Sequence, residues 1–157
     1  MKKILLTIIL AVMLMASNLW AAGSCTESVE AYTGGFTIIK LACTGDAADG
    51  SIPTQTISTD AMNTVLGTFY FYQCKTYPTS GGTAPDAADV TVNMSGQDML
   101  GGKGVNLVHA TATQDVMPYS TFMSTYRYPA VIGTITVAVA NQATHSANYT
   151  IELIFVR

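Results

Sequence analysis

The last eight residues before the C-terminal arginine constrain the fold most. Tyr149, Ile151, Leu153 and Phe155 alternate with Thr150, Glu152, Ile154 and Val156. Successive side chains of a strand point to opposite faces, so a period of two places four bulky groups on one inner face. The same alternation recurs at 134–139, where Ile135, Val137 and Val139 interleave with Thr134, Thr136 and Ala138. It recurs again at 89–94, where Val90, Val92 and Met94 interleave with Asp89, Thr91 and Asn93. Phe36–Cys43 is equally β-rich and ends at the turn Thr44-Gly45-Asp46. Short alternating segments separated by turns, with no convincing long helix, fold as stacked antiparallel sheets. The expectation is an all-β chain, an antiparallel β-sandwich of about seven to eight strands closed by the final one.

Between these segments the pattern is weaker. Ile52–Ser58 reads as a short strand broken early by Pro53, and Thr59–Thr64 holds one helical turn. Val65–Lys75 reads as the strongest strand, with Phe69 and Phe71 on one face and Tyr70, Tyr72 and Cys74 on the other. Aromatics on both faces predict a strand covered on both sides. Residues 46–51 and 79–86 are loops by composition, Ser95–Asp98 is a hairpin turn, and Asn141–Asn148 is a polar hairpin loop. Residues 105–128 carry methionines and aromatics without a clear period.

The N-terminus reads as a secretory leader over residues 1–22. Lys2-Lys3 precede the apolar run Ile4–Met15, and small residues surround the exit at Ala21-Ala22-Gly23. The expected locations are periplasmic, cell-surface or extracellular. Cleavage after Ala21 or Gly23 leaves suitable small residues, and cleavage after Ala22 puts bulky Trp20 at the restrictive third position. Ala22-Gly23-Ser24 before Cys25 also fits a lipoprotein signal, with a lipid anchor on Cys25. An uncleaved anchor is disfavoured, because the apolar run is shorter than the roughly 20 residues of a membrane span. No membrane span is expected after cleavage. About 135 residues then remain as a single domain, 23–157, long enough for one core.

Three cysteines, Cys25, Cys43 and Cys74, predict one disulfide and one leftover thiol in an oxidising compartment. If Cys25 is lipidated, only Cys43 and Cys74 can pair. If Cys25 is free, the turn at Gly34-Gly35 favours Cys25 with Cys43. A three-residue turn sets Cys25 opposite Cys43 and Val29 opposite Ile39; a two-residue turn sets Cys25 opposite Thr44. Their spacing matches no zinc pattern.

Charge excludes one class of partner. Without the leader, five basic residues face ten acidic ones, a net charge of −5. Lys40, Lys75, Lys103, Arg127 and Arg157 are scattered singly, so no cluster is available to displace counterions from nucleic acid.

A resemblance runs through most of residues 36–157. Its residues are Lys40-Leu41-Ala42-Cys43-Thr44, Gly67-Thr68-Phe69-Tyr70, Gly82–Asp86, Asp89–Val92, Gly96–Asn106 and His145-Ser146-Ala147-Asn148. In this order they resemble small tailed-phage structural proteins. The resemblance implies a β-sandwich particle component that packs against other subunits. Phage particle proteins assemble in the cytoplasm, so the leader implies an exported relative or a recruited copy.

Chemistry-bearing residues are sparse. The histidines are His109, in an apolar run, and His145, in a loop. Neither lies in a nucleophile-elbow motif, so no catalytic residue is assigned. Asp46, Asp49, Asp86 and Asp89 lie in loops but lack the ligand spacing of a calcium loop. No metal or cofactor is expected. Tyr119, Phe122, Tyr126 and Tyr128 form a candidate interaction surface, since tyrosine joins an apolar ring to a wet hydroxyl. The alternative is that these rings cover the open end of the sandwich. The leading expectation is an exported, non-enzymatic structural protein acting through protein partners or self-association. The alternatives are a cell-surface or pilus-type subunit or adhesin and, weakest, a secreted hydrolase.

Overall fold

The computed structural model describes residues 22–157. The predicted leader lies outside the described residues except for Ala22. Among the described residues there are eleven strands and one short helix; nine of the strands form two packed antiparallel sheets, the expected all-β sandwich, and two form a separate hairpin. Five of the strands are only two or three residues long, which is why the sequence suggests fewer.

The larger sheet has the order β1 (Ser24–Tyr32), β2 (Phe36–Thr44), β11 (Asn148–Val156), β4 (Tyr70–Pro78) and β7 (Gln114–Val116). The smaller has β3 (Gln55–Thr56), β10 (Ile135–Ala140), β5 (Asp89–Met94) and β6 (Gln97–Asp98). β8 (Tyr119–Ser120) and β9 (Thr125–Tyr126) make a separate hairpin. The alternating residues face inward as read. Tyr149, Ile151, Leu153 and Phe155 are fully buried, opposed by Val90, Val92, Ile135 and Val137 of the smaller sheet.

The β1–β2 hairpin uses the three-residue turn Thr33-Gly34-Gly35. Both glycines take positive φ, +125° and +86°, which side chains resist. The register therefore pairs Cys25 with Cys43 and Val29 with Ile39. The two cysteines are disulfide-bonded with Cα atoms 4.0 Å apart. Closing a loop of 18 residues contributes on the order of 3 kcal/mol in the chain-entropy description. The structure pairs Cys25 with Cys43 and not Cys43 with Cys74; a thioether-linked lipid on Cys25 could not coexist with this bond. Cys74 is free and buried.

Three expectations are corrected. Val65 does not begin a strand: it ends helix α1 (Thr59–Val65), and β4 starts at Tyr70. Ser58 caps α1, its Oγ accepting the Ala61 N–H at 3.2 Å, and Ala61, Met62 and Val65 turn into the core. Second, Cys74 does not share a face with Tyr70 and Tyr72. A β-bulge at Tyr72 lets Leu153 pair with Cys74 while Phe155 pairs with Phe71. Phe71 and Cys74 therefore both point inward, and Tyr70 remains outside. Third, Asn141–Asn148 is not a hairpin. β10 belongs to the smaller sheet and β11 to the larger, so the segment crosses between layers.

Two outcomes check this arrangement. Phe71→Ala and Leu153→Ala should each lose roughly 2–5 kcal/mol in chemical denaturation, with Tyr70→Ala losing less than about 1 kcal/mol. Burial pushes the Cys74 thiol up to about 12, so at pH 8 it should resist alkylation while folded. Unfolding without reductant should then release one reactive thiol per chain; three would exclude the disulfide.

Candidate functional site

The outer face of the larger sheet is assembled row by row by its register. Side chains that alternate away from the core meet across β1, β2, β11 and β4. At one end the row is Tyr32, Phe36, Val156 and Tyr70. Glu30, Ile38, Ile154 and Gln73 follow, then Ser28, Lys40, Glu152 and Lys75. The face thus changes from aromatic at one end to ionic in the middle.

The ionic middle is internally matched. Lys40 Nζ lies 2.7 Å from Glu30 and 3.5 Å from Glu152, and Lys75 Nζ lies 3.7 Å from Glu152. The Tyr77 hydroxyl donates to Glu152 Oε1 at 2.9 Å. Glu152 is buried although it points outward, because these neighbours cover it. The hydrogen bond to Glu30 holds the Lys40 ammonium above its ordinary pKa, and the same bond holds Glu30 below the usual carboxylate value. Burial, reinforced by Glu152, raises the Tyr77 phenol. Every charge here has a partner, so the network stabilises the sheet and offers no reactive group.

The aromatic end is open. Tyr32, Phe36, Tyr70 and Tyr128 are each about half exposed. The β8–β9 hairpin adjoins it. Tyr119 and Tyr126 are direct cross-strand partners with ring centroids 5.3 Å apart. Phe122 stands at the hairpin tip and is 93% exposed, with Met123 beside it. Tyr128 stacks on Tyr72 at 5.1 Å, joining the hairpin to the bulge of β4. A cleft of about 390 Å³ lies between them, walled by Tyr70, Met99, Pro118, Tyr119, Arg127 and Tyr128.

The four residues singled out from sequence therefore lie together. Phe122, Tyr126 and Tyr128 are exposed; Tyr119 is half-buried, and only it fits the alternative of a ring closing the sandwich. Sequence reasoning missed Tyr32, Phe36, Tyr70 and Tyr72 as parts of the same surface. Their signal was present as aromatics at the outward positions of strands, but only the register places them in one row.

The remaining candidates lie in turns and loops and, for Asp89, at the start of β5. His109 Nδ1 accepts the N–H groups of Thr111 and Ala112 at 3.2 and 3.1 Å, closing a turn. His145 is exposed on the crossing loop. Asp46 accepts from the N–H groups of Ala48 and Asp49, and Asp49 accepts from Ser51. Asp86 accepts the Ala143 N–H, and Asp89 holds Asn106 and Asn141. Among the described residues no three His, Cys, Asp or Glu side chains converge as a metal site. No described helix is long and apolar enough to cross a membrane.

Comparison with known proteins found no matching family, no similar curated protein and no similar solved structure.

The contrast between middle and end gives an expected outcome. Glu152→Ala leaves Lys75 without its carboxylate, Lys40 with Glu30 alone and the Tyr77 hydroxyl without its acceptor, and should cost roughly 1–3 kcal/mol. Phe122→Ser should stay within about 0.5 kcal/mol, as surface positions do, and Tyr126→Ser, which gives up the cross-strand pairing with Tyr119, within about 1 kcal/mol. Equilibrium denaturation of the three variants checks both statements.

Proposed function

We propose that this chain is an exported, non-enzymatic structural protein that acts by protein–protein contact through its aromatic face. The observation that carries the reading is the continuity of exposed rings from Tyr32 across the sheet to Tyr128 and Phe122. Contiguous exposed apolar area of this kind is unfavourable in water and characteristic of surfaces that become covered. Aromatic rings with arginine beside them, here Arg127 at the cleft, match the composition of interface centres.

Export is supported by Lys2-Lys3 with the apolar run and by the Cys25–Cys43 disulfide, a bond that persists in oxidising compartments. The resemblance to phage particle proteins supports the same kind of work, packing against neighbouring subunits. The pilus-type reading is less well supported. A donor-strand subunit exposes a groove where its own closing strand is missing, whereas β11 sits between β2 and β4. The hydrolase reading has the two histidines as its only support, one closing a turn and one exposed on a loop.

Intact mass and chemical cross-linking in the producing cell test the proposal together. The mature protein should begin between Ala22 and Cys25, and cross-linking should capture it in a defined complex. Tyr70→Ser with Tyr128→Ser should reduce that capture about tenfold or more without unfolding the protein. His109→Ala with His145→Ala should leave it unchanged. A mass retaining Met1–Ala21 rejects export, and undiminished capture by the tyrosine variant rejects the aromatic face.

A further inference from the structure

The two ends of the sandwich differ in charge as well as in polarity. β1, β2 and β11 are nine residues long, which separates their ends by about 25–30 Å. At the end opposite the aromatic row, loops 45–51, 79–88 and 141–147 converge. Gly45 N–H donates to Ala147 O at 2.8 Å, Ser146 N–H to Asp46 O at 3.1 Å, and Ala143 N–H to Asp86 Oδ2 at 3.0 Å. These loops and the start of β5 carry Asp46, Asp49, Asp86 and Asp89 and no lysine or arginine; His145 is the one titratable base among them. Backbone N–H groups orient the carboxylates but leave their charge uncompensated. Among the described residues, the ion pairs all lie in the central network of Glu30, Lys40, Lys75 and Glu152.

At the aromatic end Arg127, Arg157 and Lys103, whose ammonium lies 4.9 Å over the Tyr119 ring, outnumber the one carboxylate of the cleft, Asp98, so the balance there is positive. Arg157 lies with its guanidinium 4.9 Å from the Phe69 ring, and Arg127 contacts the Met123 sulfur at 2.8 Å. Neither arginine has a carboxylate within ion-pair distance among the described residues. Asp98, the carboxylate lining the cleft, is turned to the N–H groups of Leu100 and Gly102 at 2.9 and 2.7 Å.

We propose that copies of this chain associate head to tail, the aromatic, arginine-bearing end of one seated on the acidic loop end of the next. This deepens the contact reading above and rests on it. The occupant follows from charge. The described chain has a net charge of −5, so unoriented copies repel, while this orientation brings Arg127 and Arg157 to four aspartates. A two-fold contact between aromatic ends would instead set like arginines against each other. Because the two patches differ and face apart, each copy keeps one of each free, and association continues into a filament or closes into a ring.

The test is sedimentation velocity of the mature protein across concentration and salt. The expected result is a progressive series of sizes that shortens in about 0.5 M salt, where the screening length falls below 5 Å. Two variants then separate the ends: Arg127→Ser with Tyr128→Ser, and Asp46→Asn with Asp49→Asn. Each alone should sediment as a monomer at concentrations where the unaltered protein associates. Their equimolar mixture should form a one-to-one dimer and nothing longer, since each supplies the end the other lacks. Circular dichroism confirms folding. If Asp46→Asn unfolds the protein, Asp49→Lys, which gives up only the Ser51 contact, replaces that pair. A discrete two-fold dimer, or a mixture that stays monomeric, overturns head-to-tail association and leaves the contact reading standing. A monomer under all conditions also overturns it, and cross-linking in the producing cell then decides the contact reading separately.

Discussion

The ladder of β11 with β2 on one side and β4 on the other is the constraint from which the rest follows. Its inward residues, Tyr149, Ile151, Leu153 and Phe155, are fully buried and form one wall of the core. Its outward residues, Glu152, Ile154 and Val156, fix which groups of β2 and β4 become neighbours on the other face. One strand thus sets the packing, the ionic network and the aromatic row together. A one-residue slip would invert all three, and four large inward side chains make such a slip prohibitive.

The bulge at Tyr72 shows how a small irregularity decides surface chemistry. Without it, β4 would send Phe71 and Cys74 to opposite faces. With it, both fill the core, and Tyr70 and Tyr72 stay on the side where Tyr128 and the β8–β9 hairpin gather. The exposed rings are therefore not a failure of burial. They are what remains when the inner positions of β4 are already filled by Phe71, Cys74 and the buried Thr76, whose hydroxyl donates to the Leu107 carbonyl.

The sequence was legible where a local rule had one solution. Alternation identified the inner faces of β5, β10 and β11, and paired glycines with two cysteines left the β1–β2 register a choice of two turns. It was illegible where the answer depends on a distant partner. Val65 and Leu66 extend the apolar run before Phe69, which hid the end of α1 behind an apparent strand. The bulge leaves no mark at Tyr72 that a regular strand would lack. Asn141–Asn148 has the composition of a hairpin loop, and only the sheet membership of β10 and β11 reveals a crossing. For the candidate surface, clustering of aromatics in 119–128 pointed to one part. The contribution of Tyr32, Phe36 and Tyr70 exists only after strands far apart in the chain are laid side by side.

The Cys25–Cys43 bond has a mechanical consequence. β1 and β11 run in the same direction on either side of β2, so the chain enters the larger sheet at one end and leaves it at the other. Tension between Ser24 and Val156 would ordinarily reach the edge strand first. The disulfide instead passes the load directly from Cys25 to Cys43, next to the terminus of β2. The force then runs along β2 and β11, perpendicular to nine residue pairs of hydrogen-bonded ladder that must give way together and not one after another. A single covalent link at the edge thus makes the sheet resist pulling in shear along its long axis.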